Sequence, residues 1–223
     1  MSADPRPTET EQFWEGFYRE RERVWSGRVN PVLVNVVGRL PAGTALDIGC
    51  GEGGDAIWLA DRGWQVTAVD VSATALARAA ERAAAAGVGG RIDWQRHDLE
   101  RTFPTGAFDL VSAQYLHSGV DFLREQVLRS AVHAVASGGL LLIVGHAGFP
   151  PWADNPCLPD HSDHSDHSHA HFATPNEVLA SLRLTAGQWH TERLESPARQ
   201  ATGPNGQVAT LTDSVVAVRH LVT

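Results

Sequence analysis

Leu46-Asp47-Ile48-Gly49-Cys50-Gly51-Glu52-Gly53-Gly54 decides the reading of this 223-residue chain. An apolar run at 44–49 reads as a strand, the glycines at 49, 51 and 54 form a GxGxxG turn, and a helical pattern follows at 55–62. The first glycine permits a tight turn, the second lets backbone approach a ligand, and the third lets helix and strand pack closely. Gly63, directly after the helix, suits a left-handed cap.

A second strand at 65–70 ends on Asp70, 19 positions after Gly51, where a carboxylate can accept hydrogen bonds from both hydroxyls of an adenosine ribose. Ser72 is a natural N-cap for the alanine-rich helix that runs to Gly87. Further strands fall near 91–95, 108–114 and 139–145, and between the last two Val120, Leu123, Val127, Ala131 and Val135 recur at helical spacing. Thr174-Pro175-Asn176-Glu177 reads as a capping box with proline at the first helical position, opening a helix to about residue 184. Two strand-like runs near 188–195 and 208–220 flank the turn-rich Thr202-Gly203-Pro204-Asn205-Gly206 and read as an antiparallel hairpin.

This βαβα order predicts an α/β fold: a Rossmann-like, doubly wound, seven-stranded and mostly parallel sheet with a C-terminal antiparallel hairpin. At this length and with 43% hydrophobic residues, 1–223 reads as one domain. Its parts are a helical N-terminal cover (1–40), a cofactor-binding half (41–146), a His-rich loop (147–173), and a helix with the hairpin (174–223).

Composition removes several functions. All 18 basic residues are Arg, so neither a pyridoxal Schiff base nor a GxxxxGK[ST] phosphate loop has its lysine. A net charge of −8 with no strong basic block speaks against nucleic-acid contact and for a small-molecule partner. No run approaches the ~18–20 apolar residues of a membrane span, and two cysteines form no disulfide framework, so a cytoplasmic enzyme is expected; oligomeric state is left open.

The ligand of the glycine turn is a question of charge. A dinucleotide places its pyrophosphate on the helix N-terminus, and Asp47, Glu52 and Asp55 would repel it, whereas an ammonium and a sulfonium would find Asp47 congenial. This favours S-adenosylmethionine over NAD. Glu52 and Asp55 have a second reading, in which they face solvent and merely complement the helix dipole.

LDIGCGEGGDAIWLA at 46–60 with VTAVDVS at 66–72 resembles the first motifs of class I S-adenosylmethionine-dependent methyltransferases, in the small bacterial branch of tellurite-resistance and thiopurine methyltransferase-like proteins. The resemblance covers roughly residues 10–146 and implies roles for individual positions. Asp47, Gly49 and Gly51, with Cys50 inside the turn, would lie against the methionine part, Asp70 would hold the ribose and Val71 would flank adenine. Asp98 and Leu99 would meet the adenine edge, and Gln114 would sit near the methionyl end. Trp25-Ser26-Gly27 with Asn30-Pro31 resembles the segment that closes over the cofactor, although Trp25 could equally be a plain hydrophobic anchor. The resemblance also implies that the last strand inserts, antiparallel, beside the fifth.

The acceptor should meet the cofactor outside the carboxyl ends of the fourth and fifth strands, where Gln114-Tyr115-Leu116-His117 and Gly145-His146 fall. His117 and His146 are candidate general bases, with an unperturbed pKa of ~6.5, or else simply order their loops. Trp14, Phe17, Tyr18 and Trp152 either wall an apolar acceptor pocket or belong to the core. An Asn/Asp-Pro-Pro-Tyr/Phe tetrapeptide is lacking after the fourth strand, which argues against an exocyclic amine of a nucleobase as acceptor.

Residues 160–171 carry five His and three Asp. His161, His164, His167, His169 and His171 are candidate ligands for a divalent transition metal; the run could instead be a metal-free lid or a solvated loop. The expectation is methyl transfer from S-adenosylmethionine to a small O, S or N nucleophile or a metalloid, with or without metal assistance. The alternative is a cofactor- or metal-sensing protein without catalysis.

Overall fold

A computed structural model of the chain describes residues 6–148, 172–203 and 205–222. The cover consists of α1 (Glu9–Arg19) and α2 (Pro31–Val37). Then come β1 (Thr44–Ile48), α3 (Gly54–Asp61), β2 (Gln65–Asp70), α4 (Ala73–Ala85), a 3-10 turn at Gly89–Arg91 and β3 (Ile92–Arg96). The second half holds β4 (Phe108–Gln114), α5 (Arg124–His133), β5 (Val135–His146), α6 (Pro175–Ser181), β6 (Trp189–Glu195), β7 (Ala198–Thr202) and β8 (Val208–His220).

The main sheet runs β3-β2-β1-β4-β5-β8-β6, with β1 to β5 parallel and β8 antiparallel between β5 and β6. Helices cover both faces, as a parallel sheet requires. The two-residue period of β5 feeds both cores: Leu140, Leu142 and Val144 pack with Leu33 of α2 and Leu59 of α3, while Leu141 and Ile143 pack with Val127 and Leu128 of α5. Strand order reverses between β1 and β4, so the segments after these two strands diverge and leave a crevice at their carboxyl ends.

Local signals account for most element ends. Ser72 accepts a hydrogen bond from the amide of Ala75, and Thr174 and Glu177 form the reciprocal capping box. Arg183, in a left-handed conformation (φ 53°), marks the turn after α6, whose last helical residue is Ser181.

Two expectations are corrected, and the helical cover gains detail. Of the apolar series 120–135, only Val127 and Ala131 are buried residues of α5; Val120 precedes the helix and Val135 opens β5, opposite Phe108. The hairpin is interrupted: β6 pairs with 215–220 of β8, while β7, an eighth strand, pairs with 208–212. The cover contains a second helix, capped by Asn30, whose side chain accepts from the Val32 amide, with Pro31 at its first position. Among the described residues no helix is long and apolar enough to cross a membrane. His161, His164, His167, His169 and His171, with Trp152, lie outside the described residues.

Candidate active site

The turn after β1 bends back so that the amides of Gly49 and Cys50 both donate to the carbonyl of Val69, each at 2.9 Å. Gly49 (φ 70°) and Gly51 (φ 53°) are left-handed, and a Cβ on Gly49 would lie 2.6 Å from Leu116 Cδ1. Glycine is therefore favoured here chiefly by the left-handed backbone, since the close approach is to the tip of a movable Leu116 side chain.

The turn opens into a cavity of about 620 Å3, within the size range of small-molecule sites. All twelve residues expected at the cofactor and catalytic positions within the described chain border it. Trp25 lies on the cover side; Asp47, Gly49, Cys50 and Gly51 lie at the turn. Asp70 and Val71 follow β2, Asp98 and Leu99 follow β3, Gln114 and His117 come from the end of β4, and His146 ends β5. Of the aromatics, Trp14 and Tyr18 also border the cavity, whereas Phe17 is core.

Asp47 is 2% exposed, and its Oδ2 has no hydrogen-bond partner. Burial, then the charges of Asp55 and Asp70, hold its carboxyl well above the usual carboxylate range. Gln114 Oε1 is likewise buried without a hydrogen-bond partner. Asp98 Oδ2 also lacks one and meets only Arg101 Nε at 3.8 Å. Such atoms are costly unless something pairs with them, and here all three residues border the cavity. Asp70 is more occupied: its Oδ2 accepts from the Gly51 amide and its Oδ1 from the Ser72 amide, both at 2.9 Å. Burial raises its pKa.

Glu52 and Asp55 do not face solvent. Glu52 is 4% exposed; its Oε2 accepts from the amides of Val24 and Trp25 (3.3 and 3.1 Å), and its Oε1 pairs with Arg78 Nη1 at 3.2 Å. Asp55 Oδ1 accepts from the Asn30 amide at 2.7 Å, and burial pushes its pKa up to about 6. Arg82 adds hydrogen bonds to the carbonyls of Glu52 and Gly27. The two acids thus fasten the cover over the glycine turn, bringing Trp25 beside Tyr18, whose hydroxyl accepts from Trp25 Nε1 at 2.8 Å.

On the acceptor side the rings of Tyr115, His146 and His117 stack: Tyr115 to His146 at 4.4 Å and His117 to His146 at 5.6 Å between centroids. The expectation of a base with an ordinary histidine pKa is corrected here. Burial, then Arg124, then His146, push His117 down to about 3, and its Nε2 accepts from the His146 amide at 3.4 Å. Burial also lowers His146, against the pull of Asp213. Both imidazoles are neutral and weakly basic at physiological pH.

Residues missed from the sequence complete this end. Arg199 of β7 borders the cavity; its Nε pairs with Asp213 Oδ2 at 2.6 Å and its Nη2 donates to the Tyr115 hydroxyl at 3.1 Å. Asp213 stands opposite His146 in the β5–β8 register, a pairing readable only once the strand order is known.

A methyltransferase domain family matches residues 45–139. The chain is similar to thiocyanate methyltransferase 1 of Arabidopsis thaliana, 29% identical over 62% of this chain and 65% of that one. It is also similar to the 2-heptyl-1-hydroxyquinolin-4(1H)-one methyltransferase of Mycobacteroides abscessus, 32% identical over 59% of this chain and 60% of that one. The chain therefore spans less than two thirds of the length of these relatives. Its fold is that of the N-methyltransferase NodS of Bradyrhizobium japonicum in complex with S-adenosyl-L-homocysteine, with a TM-score of 0.64, 17% identity, and coverage of 95% of this chain and 99% of that one.

Proposed function

We propose that this chain is a class I S-adenosylmethionine-dependent methyltransferase, as its methyltransferase-domain match over residues 45–139 supports, and that it transfers the methyl group of S-adenosylmethionine to a small-molecule nucleophile. The observation that carries this reading is Asp47: a buried carboxyl at the glycine turn, bordering the cavity, with one oxygen that has no hydrogen-bond partner. An ammonium group on the ligand supplies the missing partner and favours the ionised form, whereas a pyrophosphate at the same turn would be repelled.

In this reading Asp47 and the turn hold the methionyl part, Asp70 the ribose, and Asp98 with Leu99 the adenine edge. Bound there, the sulfonium supplies the electrophilic methyl carbon. The acceptor's lone pair forms the new bond in line as the carbon–sulfur bond breaks and its electrons return to sulfur. Positioning accounts for much of the acceleration. The depressed basicity of His117 and His146 suits acceptors that need no base, such as thiolates, oxyanions and soft inorganic anions. The two relatives named for thiocyanate and for a hydroxyquinolinone support a small acceptor, as does the net charge of −8. Metal assistance would draw on the His-rich run outside the described residues, and the proposed roles above do not require it.

The test is transfer of labelled methyl from S-adenosylmethionine to a panel holding thiocyanate, an N-hydroxyquinolinone, thiols, phenols and ribosomal RNA. Turnover of a small acceptor with none of RNA is expected. Methylation of RNA alone, or cofactor binding with no turnover across the panel, would overturn the proposal.

A further inference from the structure

Strand β7 belongs to no crossover of the main sheet; it pairs only with the first residues of β8, and Arg199 to Thr202 from it border the cavity. Arg199 is the cation it contributes. The guanidinium is held in a built setting: Asp213, fully buried, takes Nε at 2.6 Å, and the largely buried Tyr115 hydroxyl takes Nη2 at 3.1 Å. A guanidinium has five N–H donors in a rigid fork. These two bonds fix its plane and leave three donors; its side chain is 28% exposed and borders both the cavity and a smaller pocket beside Asp213.

The charges beside it are each accounted for. Asp213 offsets Arg199, His117 and His146 are neutral, and Tyr115 is held in its neutral form by burial and by Asp213. Arg124, whose Nε donates to the Leu116 carbonyl at 2.9 Å, is not among the residues that border the cavity and has the charge of Glu125 beside it. Charged N–H donors left without partners in a partly desolvated place favour an anionic acceptor of hydrogen bonds. Aromatic walls from Trp14, Tyr18, Tyr115 and Phe122 favour a flat one.

We infer that the acceptor is a planar anion, docked on the free donors of Arg199, and that Arg199 is the residue that selects anionic over neutral acceptors. This rests on the methyltransferase reading and narrows it. An anionic acceptor closes the chemistry without a proton: its lone pair takes the methyl carbon, the sulfonium becomes a neutral thioether, and the two charges cancel. Asp213 acts as a positioning residue that holds the fork in place.

Benzoate and benzamide, nearly equal in shape and different in charge, are the probes, titrated into the full chain saturated with S-adenosylhomocysteine. Benzoate should bind at least about tenfold tighter than benzamide, a difference of ~1.4 kcal/mol. Arg199→Gln should remove that preference by weakening benzoate about tenfold or more, with S-adenosylhomocysteine affinity unchanged; Arg199→Lys should recover part of it. Equal binding of the two probes by the wild type, no measurable benzoate binding, or a preference that survives in Arg199→Gln would overturn the inference. Failure of S-adenosylhomocysteine itself to bind the wild type would instead strike the underlying methyltransferase reading, so the two failures are distinct.

Discussion

Replacing Asp47 by Asn should weaken the cofactor complex while relieving the empty protein, two effects of opposite sign from one atom. In the unliganded fold, burial and the neighbouring Asp55 and Asp70 oppose ionisation of Asp47. The folded chain therefore holds this proton to a higher pH than the unfolded chain, where the carboxyl titrates near ~3.9. Since the native state binds more protons in that window, this group lowers wild-type stability as pH rises from about 4 through the raised folded value. Asn, equal in size, has no proton to lose. Urea unfolding of the two unliganded proteins should thus show the variant gaining on the wild type between pH 5 and pH 8. Calorimetry with S-adenosylhomocysteine should show the reverse: loss of a charge-assisted contact to the ligand's ammonium costs about 1.5–3 kcal/mol, roughly ten- to 150-fold in Kd. An advantage that shrinks toward pH 8, or a Kd within twofold of wild type, would refute the reasoning.

Glu52→Gln keeps the shape but removes the charge that receives the Val24 and Trp25 amides and pairs with Arg78. Chemical unfolding should show a loss of about 1–3 kcal/mol together with altered Trp fluorescence, and an unchanged midpoint would contradict the fastening role. His117→Ala and His146→Ala should each cost less than about tenfold in kcat on an anionic acceptor, with no histidine limb in the pH–rate profile; a loss of ~10²–10⁴-fold at either position would make it a general base. Elemental analysis of dialysed, untagged protein tests the five histidines at 161, 164, 167, 169 and 171 for an expected equivalent of divalent metal, and chelation should leave S-adenosylhomocysteine affinity unaltered because the proposed ligand contacts do not include them. Loss of that affinity on chelation would bring the run into the cofactor site.

The glycine turn and the helix starts were legible in the sequence because their determinants are local. The Ser72 cap and the Thr174 capping box act within three residues of where they are written, and the acid ending β2 is marked by its strand although it bonds Gly51, 19 residues back. The acceptor end was not. Strand β7 is five residues long, half exposed along its length and bounded by Pro197 and Gly203, so no periodicity marks it; its existence depends on pairing with 208–212. Arg199 therefore had no visible place beside Tyr115 and Asp213. The same distinction explains the histidines: their residue type and loop positions were readable, but their loss of basicity comes from burial in the fold, with Arg124 added at His117 and Arg199 at His146. For Glu52 and Asp55, repulsion of a diphosphate and service to a helix dipole were both plausible from sequence, and neither anticipated that the cover's own amides would take them. The helical spacing from Val120 to Val135 was real but ran past the element, since Val135 is claimed by Phe108 across the sheet.

That the cavity at the glycine turn is built for an S-adenosyl ligand whose ammonium partners Asp47 is tested most directly by competitive calorimetry of S-adenosylhomocysteine against NAD. One S-adenosylhomocysteine per chain is expected, with NAD weaker by at least about tenfold, ~1.4 kcal/mol. Equal or tighter binding of NAD, or no S-adenosylhomocysteine binding, would contradict the account.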